Sequence, residues 1–135
     1  ELWSLVGASS NPQAAGFVLE MVKTIRGLGG IAVTSTQGMQ DLFGLEGGKY
    51  GKGILDSSRI KLIMQMEEQE ARLIQNVLNL SEDEVRQITR FRRGEGLLCI
   101  GYNHVPIAFH ASQQEYDIIT TSPTDLHRRA KEESV

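Results

Sequence analysis

Between Pro12 and Leu28 apolar residues recur at helical spacing, and the pattern stops at a pair of glycines. Ala14, Phe17, Val18, Met21, Val22, Ile25 and Leu28 fall on one face of a 3.6-residue repeat. Asn11 offers a capping side chain and Pro12 a fixed φ at the first helical position. Gly29-Gly30 closes the helix. The next six residues, "IAVTST" at 31–36, are short and rich in β-branched types, which is the composition of a buried strand. A helix that runs straight into a buried strand has to lie back on the sheet to which the strand belongs.

The rest of the chain repeats this alternation. "GMQDLFGLEGGKYGKG" predicts a short helical turn near residues 40–43 and then a flexible loop. "RIKLIMQ" at 59–65 reads as a second strand, and residues 67–79 as a helix with Ala71, Ile74, Val77 and Leu78 on its apolar face. Ser81 and Glu84 form a capping box for a helix ending near Arg90. "GLLCIGY" and "VPIAFHA" predict a β-hairpin turning around Asn103-His104, and a helix over 113–119 follows. Ser122-Pro123-Thr124-Asp125 opens a last, charged helix. The predicted class is α/β, a layered sheet flanked by helices and parallel in its first part, with a C-terminal hairpin.

Length and composition allow one ordinary globular domain: 135 residues, 40% apolar and 23% charged. The net charge of -3 gives no global basic field to draw in nucleic acid. A single cysteine, Cys99, rules out an internal disulfide or a cysteine-rich zinc site, and its apolar neighbours make it a small core residue. No stretch approaches the roughly 20 apolar residues that cross a bilayer, and no leader peptide is visible. The chain opens on Glu1 rather than Met, so it is expected to be a piece of a longer polypeptide.

Four places could carry chemistry, each with a plainer alternative. Glu1 precedes "LWSLV"; nucleotide hydrolases commonly end a buried strand in Asp-Glu, the Glu orienting water, although one terminal carboxylate means little alone. Gln37 ends the run at 31–36, where α/β sheets open onto their ligand crevice, so its amide either meets a phosphate or caps a loop. Arg26 sits near a helix C-terminus, which favours a cation through the macrodipole and would equally present an arginine finger. In "RFRRGEGLL", Arg93, Gly94 and Gly96 combine a phosphate-matching guanidinium with glycines that permit close backbone approach, or simply mark a solvated helix end and turn.

"GLEGGKYGKG" is a decoy. A phosphate-binding loop requires G-x-x-x-x-G-K-[ST]. Five residues on from Gly47 stands Lys52, and from Gly48 stands Gly53 followed by Ile54. His104, His110 and His127 have no metal-ligand or hydrolase spacing.

Taken in order, "ELWSLV", "IRGLGG", "IAVTSTQ", "GILDSSRIKLIMQ" and "RRGEGLL" resemble the C-terminal part of the motor domain of the VirB-type ATPases of conjugation and type IV secretion. These are relatives of the conjugative coupling proteins and the HerA/FtsK translocases, with a RecA-like P-loop fold. Glu1, Trp3, Arg26, Gly29, Gly30, Thr36, Gln37, Ser58, Lys61, Arg93, Gly94, Gly96 and Leu97 fall on the family pattern, which covers residues 1–121 and leaves 122–135 as a charged tail.

The resemblance implies roles. Glu1 would polarise water, Gln37 would sense the γ-phosphate, and Arg26 and Arg93 would reach the nucleotide across a subunit boundary of a hexameric ring, with Gly94 and Gly96 beside it. ATP and Mg²⁺ belong to the intact protein, held by a phosphate loop and an Asp upstream of Glu1. The chain alone is then expected neither to bind ATP tightly nor to hydrolyse it. Partners would be further copies and secretion-channel components, with DNA left open. The location would be cytoplasmic, peripheral at the inner face of the membrane. In this fold the phosphate-loop strand lies between the strands at 31–36 and 59–65, so its absence should drive closure of the gap or pairing between copies. A DNA-pumping translocase and a non-catalytic interaction module remain as alternatives. Glu95 has no assigned role.

Overall fold

The computed structural model describes residues 11–132. The run "ELWSLV", with Glu1 and Trp3, lies outside the described residues.

Helix α1 spans Pro12–Thr24. Asn11 caps it, its side-chain oxygen accepting the Gln13 N–H at 2.8 Å, and a 3₁₀ turn continues it over Ile25–Leu28. Short α2 covers Met39–Gly44. A tight turn through Glu46, Gly47 and Gly48, all at positive φ, leads into α3, Lys49–Ser57. Then come β1 (Ile60–Ile63), α4 (Glu68–Leu78), α5 (Glu82–Ile88), β2 (Glu95–Ile100), β3 (Asn103–Ala108), α6 (Gln113–Ile119) and α7 (Pro123–Glu132).

Three expectations are corrected. The described sheet is antiparallel, in the order β1-β2-β3, and no parallel pair occurs among the described residues. Residues 31–36 form no strand, and Ile31 and Val33 are 88% and 90% exposed. A strand exists only through its ladder, and no described strand borders this segment, so its β-branched composition has nothing to act on. The expected closure of the gap beside β1 within one chain is therefore not seen among the described residues. Third, the segment expected as a flexible loop contains α3. Its apolar contacts come from Tyr50 and Ile54 at helical spacing, a pattern obscured by the glycines between them.

The hairpin turn also falls two residues earlier than Asn103-His104. Ile100 pairs with Asn103 across the loop Gly101-Tyr102. The first position of such a loop favours positive φ, and Gly101, at +61°, supplies it. In β1, Lys61 and Ile63 bond toward β2, in phase with Gly101 N–H to Arg59 O at 3.2 Å, which leaves the backbone groups of Ile60 and Leu62 on the outer edge. On the other margin, the middle of the outward positions of β3 is Pro106, which has no N–H to offer and so blunts that edge.

Two apolar clusters hold the chain. One joins the inner face of the sheet to α4 and α5: Ile63, Leu97 and Cys99 meet Ala71, Ile74, Leu80, Val85, Ile88 and Phe91. The other is helical: Ala15 and Val18 of α1 meet Leu42, Leu45, Tyr50 and Ile54. Helix α2 belongs to both. Leu42 enters the helical cluster, Phe43 packs on the sheet cluster, and Met39 touches each.

Close backbone approach fixes the α2–α3 corner. A Cβ on Gly51 would stand 2.1 Å from the carbonyl oxygen of Leu42. Within a helix, Gly→Ala ordinarily stabilises by about 1 kcal/mol. Here the sign should reverse: Gly51→Ala is expected to lower the urea midpoint. Gly27→Ala, in the 3₁₀ turn and with nothing within 4 Å of its Cβ, should keep the ordinary sign and raise it slightly.

Candidate functional site

Arg26 stands on a stub fixed by its glycines. Gly29, at φ +73°, donates its N–H to the Arg26 carbonyl at 3.1 Å, and Gly30 donates to Ile25 at 3.0 Å. A Cβ on Gly30 would lie 2.7 Å from Ile25 Cγ1. The segment "IRGLGG" is thus a helix stop that holds Arg26 at the surface. Its guanidinium has no hydrogen bond or ion pair among the described residues.

Gln37 is exposed and lies between two backbone ties. The Thr36 hydroxyl donates to the Gly38 carbonyl at 3.2 Å. Two residues on, the Met39 N–H donates to Glu70 Oε1 at 3.1 Å. Gly38 is the N-cap of α2 and has no side chain with which to cap it; the carboxylate from α4 fills that role from across the fold.

Arg93 lies in the turn that opens β2. The Arg92 N–H donates to Glu95 Oε2 at 2.8 Å, and the Glu95 N–H donates back to the Arg92 carbonyl at 2.9 Å. Glu95, unassigned from sequence, is therefore the clamp of this turn. Gly94, at φ +86°, accepts the Phe109 N–H at 2.8 Å, and a Cβ there would meet the Phe109 carbonyl oxygen at 2.8 Å. At Gly96 a Cβ would meet the Ile63 carbonyl oxygen at 2.9 Å. Both glycines thus have structural reasons in full, while Arg93 itself is exposed and its guanidinium has no ion pair among the described residues.

Neither of the two described grooves is lined by Arg26, Gln37 or Arg93. The larger, about 850 Å³, runs between α5 and β3 past Asp83, Arg86, Arg90, Phe91, Glu95 and Ile107. The smaller, about 260 Å³, is crossed by a row of residues in register on three strands: Lys61, Cys99 and His104. His104 lies within β3, not on the loop where the sequence suggested it, and its Nδ1 is 2.6 Å from Glu84 Oε1. Burial pushes the Cys99 thiol above its ordinary pKa, and the Glu84 charge adds to this against the opposing pull of Lys61. That is an inert core thiol, as its apolar surroundings suggested. The Ser58 and Lys61 positions also serve local structure: Ser58 Oγ donates to the Ile54 carbonyl at 2.8 Å, and Lys61 Nζ donates to the Ser58 carbonyl at 2.5 Å.

No protein-family model matches the chain, and no curated protein does. Among solved structures, the chain matches a member of the ATPase class that its sequence resembles. That structure is VirB4 of Thermoanaerobacter pseudethanolicus, with a TM-score of 0.76 and 32% identity over 85% of this chain. The chain is therefore related to the VirB4-type ATPases, and it spans 30% of the length of that relative.

Glu70 and the Glu84–His104 pair were not singled out for the site in the sequence. Glu84 was visible as half of a capping box, but its second oxygen finds His104 only through the hairpin. Nothing in the sequence marks Glu70 as a partner of Met39, 31 residues away.

Glu84 makes a pH prediction. Burial raises its pKa, but the Ser81 N–H and hydroxyl and the His104 ring outweigh this and hold it below 4.5. A carboxylate whose folded pKa is depressed stabilises the fold above its unfolded pKa, and that contribution is lost as pH falls through the folded value. Glu84→Gln is expected to be less stable than the parent at about pH 7, with the gap closing as pH falls through the folded value. Urea midpoints across that acid range check this; a gap independent of pH would contradict it.

Proposed function

We propose that this chain is part of the ATP-hydrolysing motor of a type IV secretion system, powering conjugative transfer of DNA or protein. The observation that carries the reading is the VirB4 match at 32% identity, which agrees with the ordered motifs around Arg26, Gln37 and Arg93. Two features of the site support it. Arg26 and Arg93 are exposed cations held on glycine-fixed turns without an internal counter-ion among the described residues. Gln37 is an exposed amide on a segment tied at both sides.

In this reading Gln37 senses the γ-phosphate, Arg26 and Arg93 neutralise developing charge on the nucleotide of a neighbouring subunit in a hexameric ring, and Glu1 polarises the attacking water. Guanidiniums and an amide are donor types that match a triphosphate's outer oxygens. The sequence has no G-x-x-x-x-G-K-[ST], so a phosphate loop elsewhere in a longer polypeptide would hold ATP and Mg²⁺ and supply the scissile phosphoanhydride. Gly94 and Gly96 shape the turn that carries Arg93. Among the described residues no helix is long and apolar enough to cross a membrane. Attachment at the inner membrane face would accordingly run through secretion-channel partners.

The test is steady-state ATP turnover by the longer polypeptide that joins this segment to its phosphate loop. Gln37→Ala, Arg26→Ala and Arg93→Ala should each cut turnover with less effect on nucleotide binding; an arginine finger is worth on the order of 10³–10⁵ in rate. Intact turnover in Arg26→Ala would remove Arg26 as the finger. Mixing Glu1→Gln subunits with Arg26→Ala subunits should restore activity if the finger acts between subunits. This 135-residue chain alone should show no turnover; hydrolysis by it, abolished by Glu1→Gln, would overturn the architecture.

A further inference from the structure

We infer that Glu70 is a positioning residue for Gln37, holding the sensor segment from across the interface between the two apolar clusters. The inference rests on the reading of Gln37 given above.

Gln37 follows a segment without regular structure and precedes α2 by one residue, Gly38. The joint at Gly38 is locally loose, because the glycine has neither a Cβ to restrict it nor a side chain to cap the helix. The Glu70 carboxylate fixes the peptide unit between Gly38 and Met39, the same unit to which the Thr36 hydroxyl ties the residues before it. Its Oε1 accepts the Met39 N–H at 3.1 Å, one of the N-terminal donors that the helix cannot satisfy internally. Its negative charge also suits the positive end of α2. The bond is half-buried and links residues 31 apart in sequence. Glu70 itself is fixed by its neighbour Ala71, which is fully buried in the sheet cluster that Met39 and Phe43 also touch. On the other side the Thr36 hydroxyl ties to the Gly38 carbonyl. Gln37 is thus bracketed, and the C-terminal bracket is rooted in α4.

This arrangement transmits position. A shift of α4 relative to α2 moves Met39 and with it the point from which the Gln37 amide projects. Misplacement of a catalytic group by about 1 Å can cost about 10²-fold in rate. Glu70 touches neither nucleotide nor water in this account; it acts through Gln37.

The experiment has two arms. In this chain, amide hydrogen exchange at Met39 should accelerate in Glu70→Ala and stay near the parent rate in Glu70→Gln, which keeps an oxygen acceptor. Unchanged exchange in Glu70→Ala would overturn the brace. In the longer, ATP-hydrolysing polypeptide, Glu70→Ala should lower kcat about ten- to a hundredfold with a smaller change in KM for ATP, and Glu70→Gln should largely restore it. In a Gln37→Ala background, Glu70→Ala should cost little more, because the two act as one unit. Additive losses would overturn the coupling. Loss in Gln37→Ala with none in Glu70→Ala would overturn the role of Glu70 alone, whereas unchanged turnover in Gln37→Ala would overturn the sensor reading and this inference with it.

Discussion

The structure depends on a six-residue helix that faces two ways. Leu42 is 2% exposed within the helical cluster, while Phe43, the next residue, packs on the cluster under the sheet. Adjacent residues on a helix point about 100° apart, so one short turn reaches two separate cores without bending. Met39 contacts both, and Glu70 pins the start of the turn. Neither cluster alone is large by the standard of a stable domain. Helix α2 joins them, and Gln37 lies two residues before its first turn.

The sheet shows how much strand formation is a matter of neighbours. Residues 31–36 are richer in β-branched types than β1, yet only β1 forms a ladder, because β2 lies beside it with Gly96 in place of a side chain that would collide with the Ile63 carbonyl. The inner face carries Ile63, Leu97 and Cys99 against α4 and α5. On the outer face Ile60, Leu62, Ile100 and Val105 are partly or largely exposed. The two margins differ: Pro106 blunts the edge of β3, whereas the outer edge of β1 keeps the backbone groups of Ile60 and Leu62.

Structural and chemical residues separate cleanly within the motifs. In "RRGEG", both glycines and Glu95 are accounted for by the turn and by the closeness of Phe109 and Ile63, while the side chains of Arg92 and Arg93 are exposed. In "IRGLGG" the glycines stop the helix, and Arg26 remains. The glycines of these motifs thus have structural reasons of their own, in the turns they build.

Local interactions were legible in the sequence. Asn11-Pro12 started α1, Gly29-Gly30 ended its 3₁₀ extension, Ser81 and Glu84 capped α5, and the residues of β1, β2 and β3 were found nearly where their composition put them. Each depends on groups within a few residues of one another, so the chain specifies them directly. What only the tertiary structure decided was non-local. The antiparallel sheet, the lack of a ladder at residues 31–36, the helix hidden among the glycines of "GGKYGKG", the pairing of Glu84 with His104 and the reach of Glu70 to Met39 all turn on which distant segment happens to lie alongside. Propensity specifies what a residue can do, and a partner brought in by the fold decides whether it does it.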